Sequence, residues 1–247
     1  MKFPGKIILG GGTSTILDGS VVDSVSSRLE IGSCTLCGSE SFIENMEVSN
    51  CPSCTRRTRQ RSLPIIAELV NSLIEKNSDG ELLAFAFTGI EREHIAKDFE
   101  TVCSVSLYGD YGKGHMTGVD VRDLSRFGEG RFGAVFSSLL FDYFIEHEEG
   151  LREIYRVLRV GGFFLTHIAS QRVLEGYSPP NLHKMIGAKP GSFEYLEGAE
   201  IPSIKVGKSW LLGAMERCGF SSCSIDIHDP GNGEVVTWFL GKKEGGV

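Results

Sequence analysis

A doubly wound α/β fold is what this sequence predicts, and three observations predict it. Apolar runs and helical stretches alternate from Glu81 onward. One stretch, Phe132 to His167, reads as strand, helix and strand in a row, a βαβ unit that implies a parallel sheet with a right-handed crossover. The chain then closes on two strand-like runs, Cys223 to His228 and Glu234 to Leu240, around Asp229-Pro230-Gly231-Asn232-Gly233. That turn chemistry predicts a hairpin, so the sheet ends in an antiparallel strand.

Each element has its own signal. Glu81 to Phe87 reads as a buried strand, followed by a loop at Thr88-Gly89 and a short helix over Glu91 to Phe99. Val102 to Tyr108 and His115 to Val119 read as the next two strands, each ending on a turn that carries an aspartate, Asp110 and Asp120. Phe132 to Phe136 is the fourth, and it ends on Ser137 and Ser138. Leu151, Ile154, Tyr155 and Leu158 recur at spacings of three and four, which puts them on one helical face. Gly161-Gly162 is expected to end that helix, since glycine accepts positive φ. Phe163 to His167 follows as the fifth strand. Ser209 to Cys218 reads as a helix capped by Gly219. Between them, residues 170–206 lack periodicity and are broken by Ser178-Pro179-Pro180 and Lys189-Pro190-Gly191, which suits a cover over a strand-end crevice. In a doubly wound sheet ligands bind at the carboxyl ends of the strands. The informative positions are therefore Thr88, Gly89, Asp110, Asp120, Val121, Ser137, Ser138 and His167.

Composition bounds the function. With 247 residues the chain can bury one sizeable core and a small accessory module. It is 41% hydrophobic and 23% charged, as soluble globular proteins are. A net charge of -7 argues against general nucleic-acid binding. No apolar run is long enough to span a bilayer, and Gly10-Gly11-Gly12 interrupts the brief run Ile7-Ile8-Leu9, so neither a membrane span nor a signal peptide is expected. A cytoplasmic protein is the expectation, with the oligomeric state open.

Three segments precede the sheet. Residues 1–30 are expected to be an arm, either flexible or an edge strand; the glycine run at Gly10 to Gly12 alternatively suits a loop that approaches a phosphate. Residues 31–62 hold Cys34-Thr35-Leu36-Cys37 and Cys51-Pro52-Ser53-Cys54, two Cys-x-x-Cys pairs thirteen residues apart. Two such knuckles supply the four sulfurs of a closed, tetrahedral structural zinc site, with two disulfides or free thiols as the alternative. Arg56, Arg57, Arg59 and Arg61 follow, ahead of a helix whose apolar stripe begins at Ile65. Ser62 reads as the N-cap and Pro64 as a first-turn residue. Arginines at a helix N-terminus oppose the macrodipole, so Arg59 and Arg61 call for solvent, a carboxylate or a phosphate. Residues 63–247 form the main domain.

From Glu81 to Lys242 this order of elements resembles the class I methyltransferases that use S-adenosylmethionine. The strongest local likeness runs from Phe132-Gly133-Ala134-Val135-Phe136-Ser137-Ser138 through Arg156-Val157-Leu158-Arg159-Val160-Gly161-Gly162. It resembles the family's fourth strand, helix and RVLxPGG turn, with Val160 in place of the proline. The knuckles and Arg59-Gln60-Arg61 resemble a subgroup, methyltransferase type 11-like, with a zinc-ribbon head and an Arg-His-Arg helix entrance. That subgroup is associated with methylation of small molecules and cell-surface polysaccharides.

The resemblance implies a Rossmann-like, mostly parallel seven-stranded sheet and a methyl transfer to a small-molecule or saccharide hydroxyl. It implies cofactor contacts at Phe85, Ala86, Thr88 and Gly89, ribose contacts at Asp110, adenine contacts at Asp120 and Val121, and a cofactor floor at Ser137. On the acceptor side it leaves His167, Tyr143 and Asp142 as candidate catalytic groups, with His147 nearby, and Arg59, Arg61 and His183 as candidate substrate or anion contacts. Asp110 and Asp120 equally suit plain turn aspartates, and His167 equally suits a hydrogen-bonded structural role. The chain departs from the family at Leu83-Ala84-Phe85-Ala86-Phe87-Thr88-Gly89, where only Gly89 is left of a Gly-x-Gly-x-Gly loop and bulky Phe87 stands close to the methionine part of the cofactor. The subgroup's Leu-Glu-His appears as Phe141-Asp142-Tyr143. This departure admits a second expectation, a methyltransferase-like binding module that works through its zinc ribbon and arginines.

Overall fold

A computed structural model of the chain describes residues 7–9, 27–30, 34–39, 51, 53–54, 58–74, 80–87, 89–107, 114–142, 144, 146–168, 206–228 and 235–245. The expected sheet is present and is wider than expected. The strands are β1 (Ile7–Leu9), β2 (Ser27–Glu30), β3 (Glu81–Phe85), β4 (Val102–Val105), β5 (His115–Met116), β6 (Phe132–Ser138), β7 (Leu158–His167), β8 (Phe220–His228) and β9 (Val235–Lys243). They lie side by side as β1-β2-β8-β9-β7-β6-β3-β4-β5. From β5 to β7 all pairings are parallel, and β9 runs antiparallel between β7 and β8. The seven strands from β5 to β8 are the predicted sheet. The arm adds the other two at its edge, β2 parallel to β8 and β1 antiparallel to β2.

Helices cover both faces. α1 (Thr58–Ile74) and α2 (Gly89–Ile95) lie on one, α3 (His147–Val157) and α4 (Lys208–Arg217) on the other. The central strands therefore bury both sides. In β6, Ala134 and Phe136 join Leu63 and Ile66 of α1, whereas Val135 joins Leu151 and Ile154 of α3. The helix α3 is amphipathic as its spacing predicts, with Leu151, Ile154 and Val157 buried. Its C-terminal end is held by the last strand: Lys243 donates Nζ to the Tyr155 carbonyl at 2.8 Å and lies over the Tyr155 ring. A cation there also suits the negative end of the helix dipole.

Several expectations are corrected. α1 starts at Thr58, four residues before Ser62, so Arg59 and Arg61 sit inside its first turns. Ser62 is no N-cap; its hydroxyl donates back to the Arg59 carbonyl at 2.7 Å. Pro64 is interior to the helix. Gly161-Gly162 does not end α3 either. The helix stops at Val157, and both glycines fall within β7, where its register against β6 slips between Phe132 and Ala134. Gly161 adopts φ +78°, and a Cβ on Gly162 would come within 2.9 Å of the Arg159 carbonyl oxygen, so the glycines serve this bulge. Val160, the residue in the usual proline position, is exposed. The strand expected over Val102 to Tyr108 ends at Val105, and that expected over His115 to Val119 ends at Met116. The helix expected over Glu91 to Phe99 runs from Gly89 to Ile95 and continues as a 3₁₀ turn, Ala96–Asp98.

Candidate functional site

The chain leaves β3 for β4 and β5 on one side, then returns to place β6 and β7 on the other. The C-terminal ends of β3 and β6 are thus the topological switch point, where doubly wound sheets open a crevice. Among the described residues, two non-glycine residues have positive φ, and each lies just beyond one of these strands. Ala86 follows β3 at φ +48°, and Leu139 follows β6 at φ +60°. An L-residue in this region carries roughly 1–2 kcal/mol of steric cost. Such strain concentrates at functional sites.

Ala86 explains how the degenerate first loop keeps its shape. Its amide donates to the Val105 carbonyl at 2.8 Å, which ties the loop to β4. Ala86→Gly should therefore relieve strain and raise stability by up to about 1 kcal/mol; urea unfolding checks this, and a lower midpoint would contradict it. The bulk of Phe87 is turned away from the loop. Its ring is buried against Phe136 at 5.3 Å, within the α1-side core. Phe85 is likewise a core side chain, on the α3 side. Beside Gly89, at the start of α2, a Cβ would meet nothing within 4 Å.

Asp120 sits in an ion pair. Arg122 donates its backbone N–H and its Nε to Oδ1 at 2.9 and 3.0 Å, and its Nη2 to Oδ2 at 2.6 Å. Arg122 also reaches Glu146 at 3.0 Å. Burial pushes the Asp120 carboxyl up, but these bonds outweigh it and hold it below the usual range. The aspartate thus caps its own turn. Val121 is buried beside it in the α3-side core. Ser137 is fully buried and shares a 2.7 Å hydrogen bond with Thr166, which links β6 to β7.

His167 ends β7 opposite Ser138. The ring is 2% exposed and packs on Trp238 at 5.2 Å. Neither of its nitrogens has a hydrogen-bond partner. Leaving such groups unpaired costs about 1–3 kcal/mol each. Burial, and secondarily the charge of Arg59, pushes its pKa down to about 3. At neutral pH it is a neutral imidazole, a donor at one nitrogen and an acceptor at the other. His147 belongs to the core. Its Nε2 lies 2.9 Å from the Phe141 carbonyl oxygen, with Phe144 and Trp210 against the ring, and burial lowers it to about 4. Both histidines exclude protons that the unfolded chain accepts at its ordinary value near 6.5. Their contribution to stability is complete above that pH and falls as pH drops toward 4 and 3. Each should remove roughly 2 kcal/mol between pH 6.5 and 5. Urea unfolding at pH 7 and 5 measures the loss, and His167→Gln should remove its share; an unchanged pH dependence would contradict it.

Arg59 approaches this region from α1, the helix that also carries Arg61. Arg61 is 1% exposed, and the Nε of Arg59 is buried without a partner. Trp238 fixes α1 to the sheet, since its Nε1 donates to Ser62 Oγ at 2.9 Å. Asp142 lies in a short 3₁₀ turn, Leu140–Asp142, after β6. Thr88, Asp110, Tyr143 and His183, with most of the expected cover, lie outside the described residues.

The four knuckle cysteines do converge. Cys34, Cys37, Cys51 and Cys54 place all their sulfurs within 4.8 Å of one another. Cys34–Cys54 and Cys37–Cys51 are each 3.7 Å apart, and none of the four is in a disulfide. A tetrahedron with metal–sulfur bonds of about 2.3 Å has sulfur–sulfur edges of about 3.8 Å. The donor set therefore fits zinc. Burial pushes the Cys34 thiol up to about 12; at Cys51 burial is outweighed by backbone hydrogen bonds from Cys54 and Ser53, and the thiol falls to about 7. The module is tied to α1, because the Thr35 hydroxyl donates to the Arg61 carbonyl.

Sequence reasoning missed Leu139 and Trp238, and marked Ser138 only as a strand-end position. Trp238 reads in the sequence as one more strand residue, and no local signal marks Leu139, whose conformation is imposed by the bond from its amide to the His167 carbonyl at 2.8 Å.

Comparison with known proteins agrees with this architecture. Residues 93–166 match the family described as Methyltransferase domain. A search of curated proteins finds no match. Among solved structures, the fold is similar to that of the CurJ carbon methyltransferase, with a TM-score of 0.53 and 14% identity over 75% of this chain. The chain spans 55% of the length of that structure. It is also similar to an S-adenosylmethionine-dependent methyltransferase from Clostridium acetobutylicum ATCC 824, with a TM-score of 0.50 and 13% identity over 72% of this chain and 91% of that one. Residues 93–166 thus match a methyltransferase domain, and the chain has the fold of the S-adenosylmethionine-dependent methyltransferases.

Proposed function

We propose that this chain transfers a methyl group from S-adenosylmethionine to a hydroxyl of a small molecule or saccharide. The observation that carries the reading is the pair of strained residues, Ala86 and Leu139, at the switch point of a methyltransferase sheet. The cofactor supplies an electrophilic methyl on a sulfonium, and the protein's task is to align an acceptor with it. In this reading the backbone from Phe85 to Gly89 lines the methionine end. Asp110 accepts hydrogen bonds from the ribose hydroxyls, and the turn at Asp120-Val121 holds the adenine. Ser137, tied to Thr166, stiffens the floor beneath them. Asp142 and Tyr143 stand on the acceptor side as candidate bases for the hydroxyl proton, with His167 below them. Cys34, Cys37, Cys51 and Cys54 hold a structural zinc that anchors the arginine-bearing start of α1.

Calorimetric titration with S-adenosylmethionine and S-adenosylhomocysteine tests the reading. One site per chain in the micromolar range is expected, with Asp110→Ala weakening it at least about tenfold through the lost ribose bonds. Binding no tighter than millimolar, unaltered by Asp110→Ala, would sink it.

A further inference from the structure

We propose that Arg59, Ser138 and His167 form a subsite for one compact anionic group, a carboxylate or a phosphate, carried by the methyl acceptor. The assignment of its ligand to the acceptor rests on the methyltransferase reading; the subsite itself does not. Three groups from separate elements carry buried polar atoms without partners: Arg59 Nε on α1, Ser138 Oγ at the end of β6, and both nitrogens of His167 at the end of β7. Ser138 and His167 are register partners on adjacent strands. They belong to the α1-facing side of the sheet, because the His167 ring packs on Trp238, and Trp238 is bonded to Ser62 one turn from Arg59. Arg59 is close enough for its charge to act on His167.

Unpartnered polar atoms are rare in protein interiors, and convergent ones mark a ligand's place. The chemistry of this set selects an anion. The guanidinium supplies fixed charge and a donor, the hydroxyl a second donor, and the neutral imidazole an N–H as a third. No carboxylate in the first turn of α1 satisfies that charge, and the positive end of the helix adds to it. The subsite lies at the end of β6 and β7, beside the switch point rather than on the β3–β4 side assigned to the cofactor. An acceptor with a negative group would be gripped there while its hydroxyl faces the crevice. In this arrangement His167 is a binding residue and not the base.

Nitrogen-15 NMR of the histidine side chains in the full, zinc-loaded chain tests this. Inorganic phosphate and acetate are titrated separately, and S-adenosylhomocysteine is titrated into the same sample. The His167 nitrogens are expected to shift saturably with one or both anions. Arg59→Gln should weaken that response about tenfold or more, as loss of a charge-assisted bond does. Should Arg59→Gln not fold, Ser138→Ala is expected to weaken it severalfold. A preference for phosphate or for acetate identifies which group the acceptor carries. If neither anion moves His167, or the variants titrate as the wild type does, the subsite is wrong, even where S-adenosylhomocysteine binds. If the anions bind and S-adenosylhomocysteine does not, the subsite stands and its assignment to a methyl acceptor falls.

Discussion

Cys34→Ser is expected to remove the metal from this protein and to melt the N-terminal module. The wild type should carry about one zinc per chain, because four thiolates complete a closed tetrahedral set. One hydroxyl in place of a buried thiolate breaks that set. Structural zinc contributes about 10–16 kcal/mol in isolated finger peptides, so the module should lose most of its stability. The effect should reach α1, since the Thr35 hydroxyl donates to the Arg61 carbonyl, in the helix's first turns. Metal analysis of reduced protein checks the first part, and hydrogen exchange over residues 58–67 checks the second. Zinc retained at wild-type stoichiometry, or metal absent from the wild type, would contradict the assignment.

Trp238→Ala is expected to be the most destabilising single change in the sheet. Trp238 is fully buried, lies 6.0 Å from Phe136 and 5.2 Å from His167, and donates to Ser62. Truncation leaves a large cavity between α1 and β9, at a cost of roughly 3–5 kcal/mol. It also strands the Ser62 hydroxyl as an acceptor and removes the ring that packs on His167. Against a typical total of about 5–15 kcal/mol, that is enough to leave the protein marginal. Denaturant unfolding measures it. Trp238→Phe should recover most of the packing but not the bond to Ser62; a loss below about 1 kcal/mol for the alanine variant would show that α1 is held by other contacts.

What was legible in the sequence was whatever depends on local pattern. The apolar runs gave seven strands in the right order, and the hairpin chemistry at Asp229 to Gly233 announced the antiparallel end. Cys-x-x-Cys spacing foretold the convergence of four sulfurs, because the pairing is built into each knuckle. Misreadings arose where a local signal had a non-local use. Ser62 before Pro64 looks like a helix start, but the hydroxyl serves Trp238, which lies 176 residues away in the chain. Gly161-Gly162 looks like a helix stop, but it accommodates a register slip against β6. The arm's edge strands carry too few residues to show periodicity. In the site, the positions after each strand were legible from topology alone. The conformations of Ala86 and Leu139 were not, because tertiary hydrogen bonds impose them. Nor was the burial of Arg61 and His167, since a charge run looks the same in sequence whether it is solvated or enclosed.

The most direct test of a cofactor crevice at the switch point is a crystal structure with S-adenosylhomocysteine. The predicted result is the ligand at the C-terminal ends of β6, β3 and β4, with its methionine end against Phe85 to Gly89 and its ribose at Asp110. A ligand bound away from these strand ends, or crystals that take up none at millimolar concentration, would contradict the account.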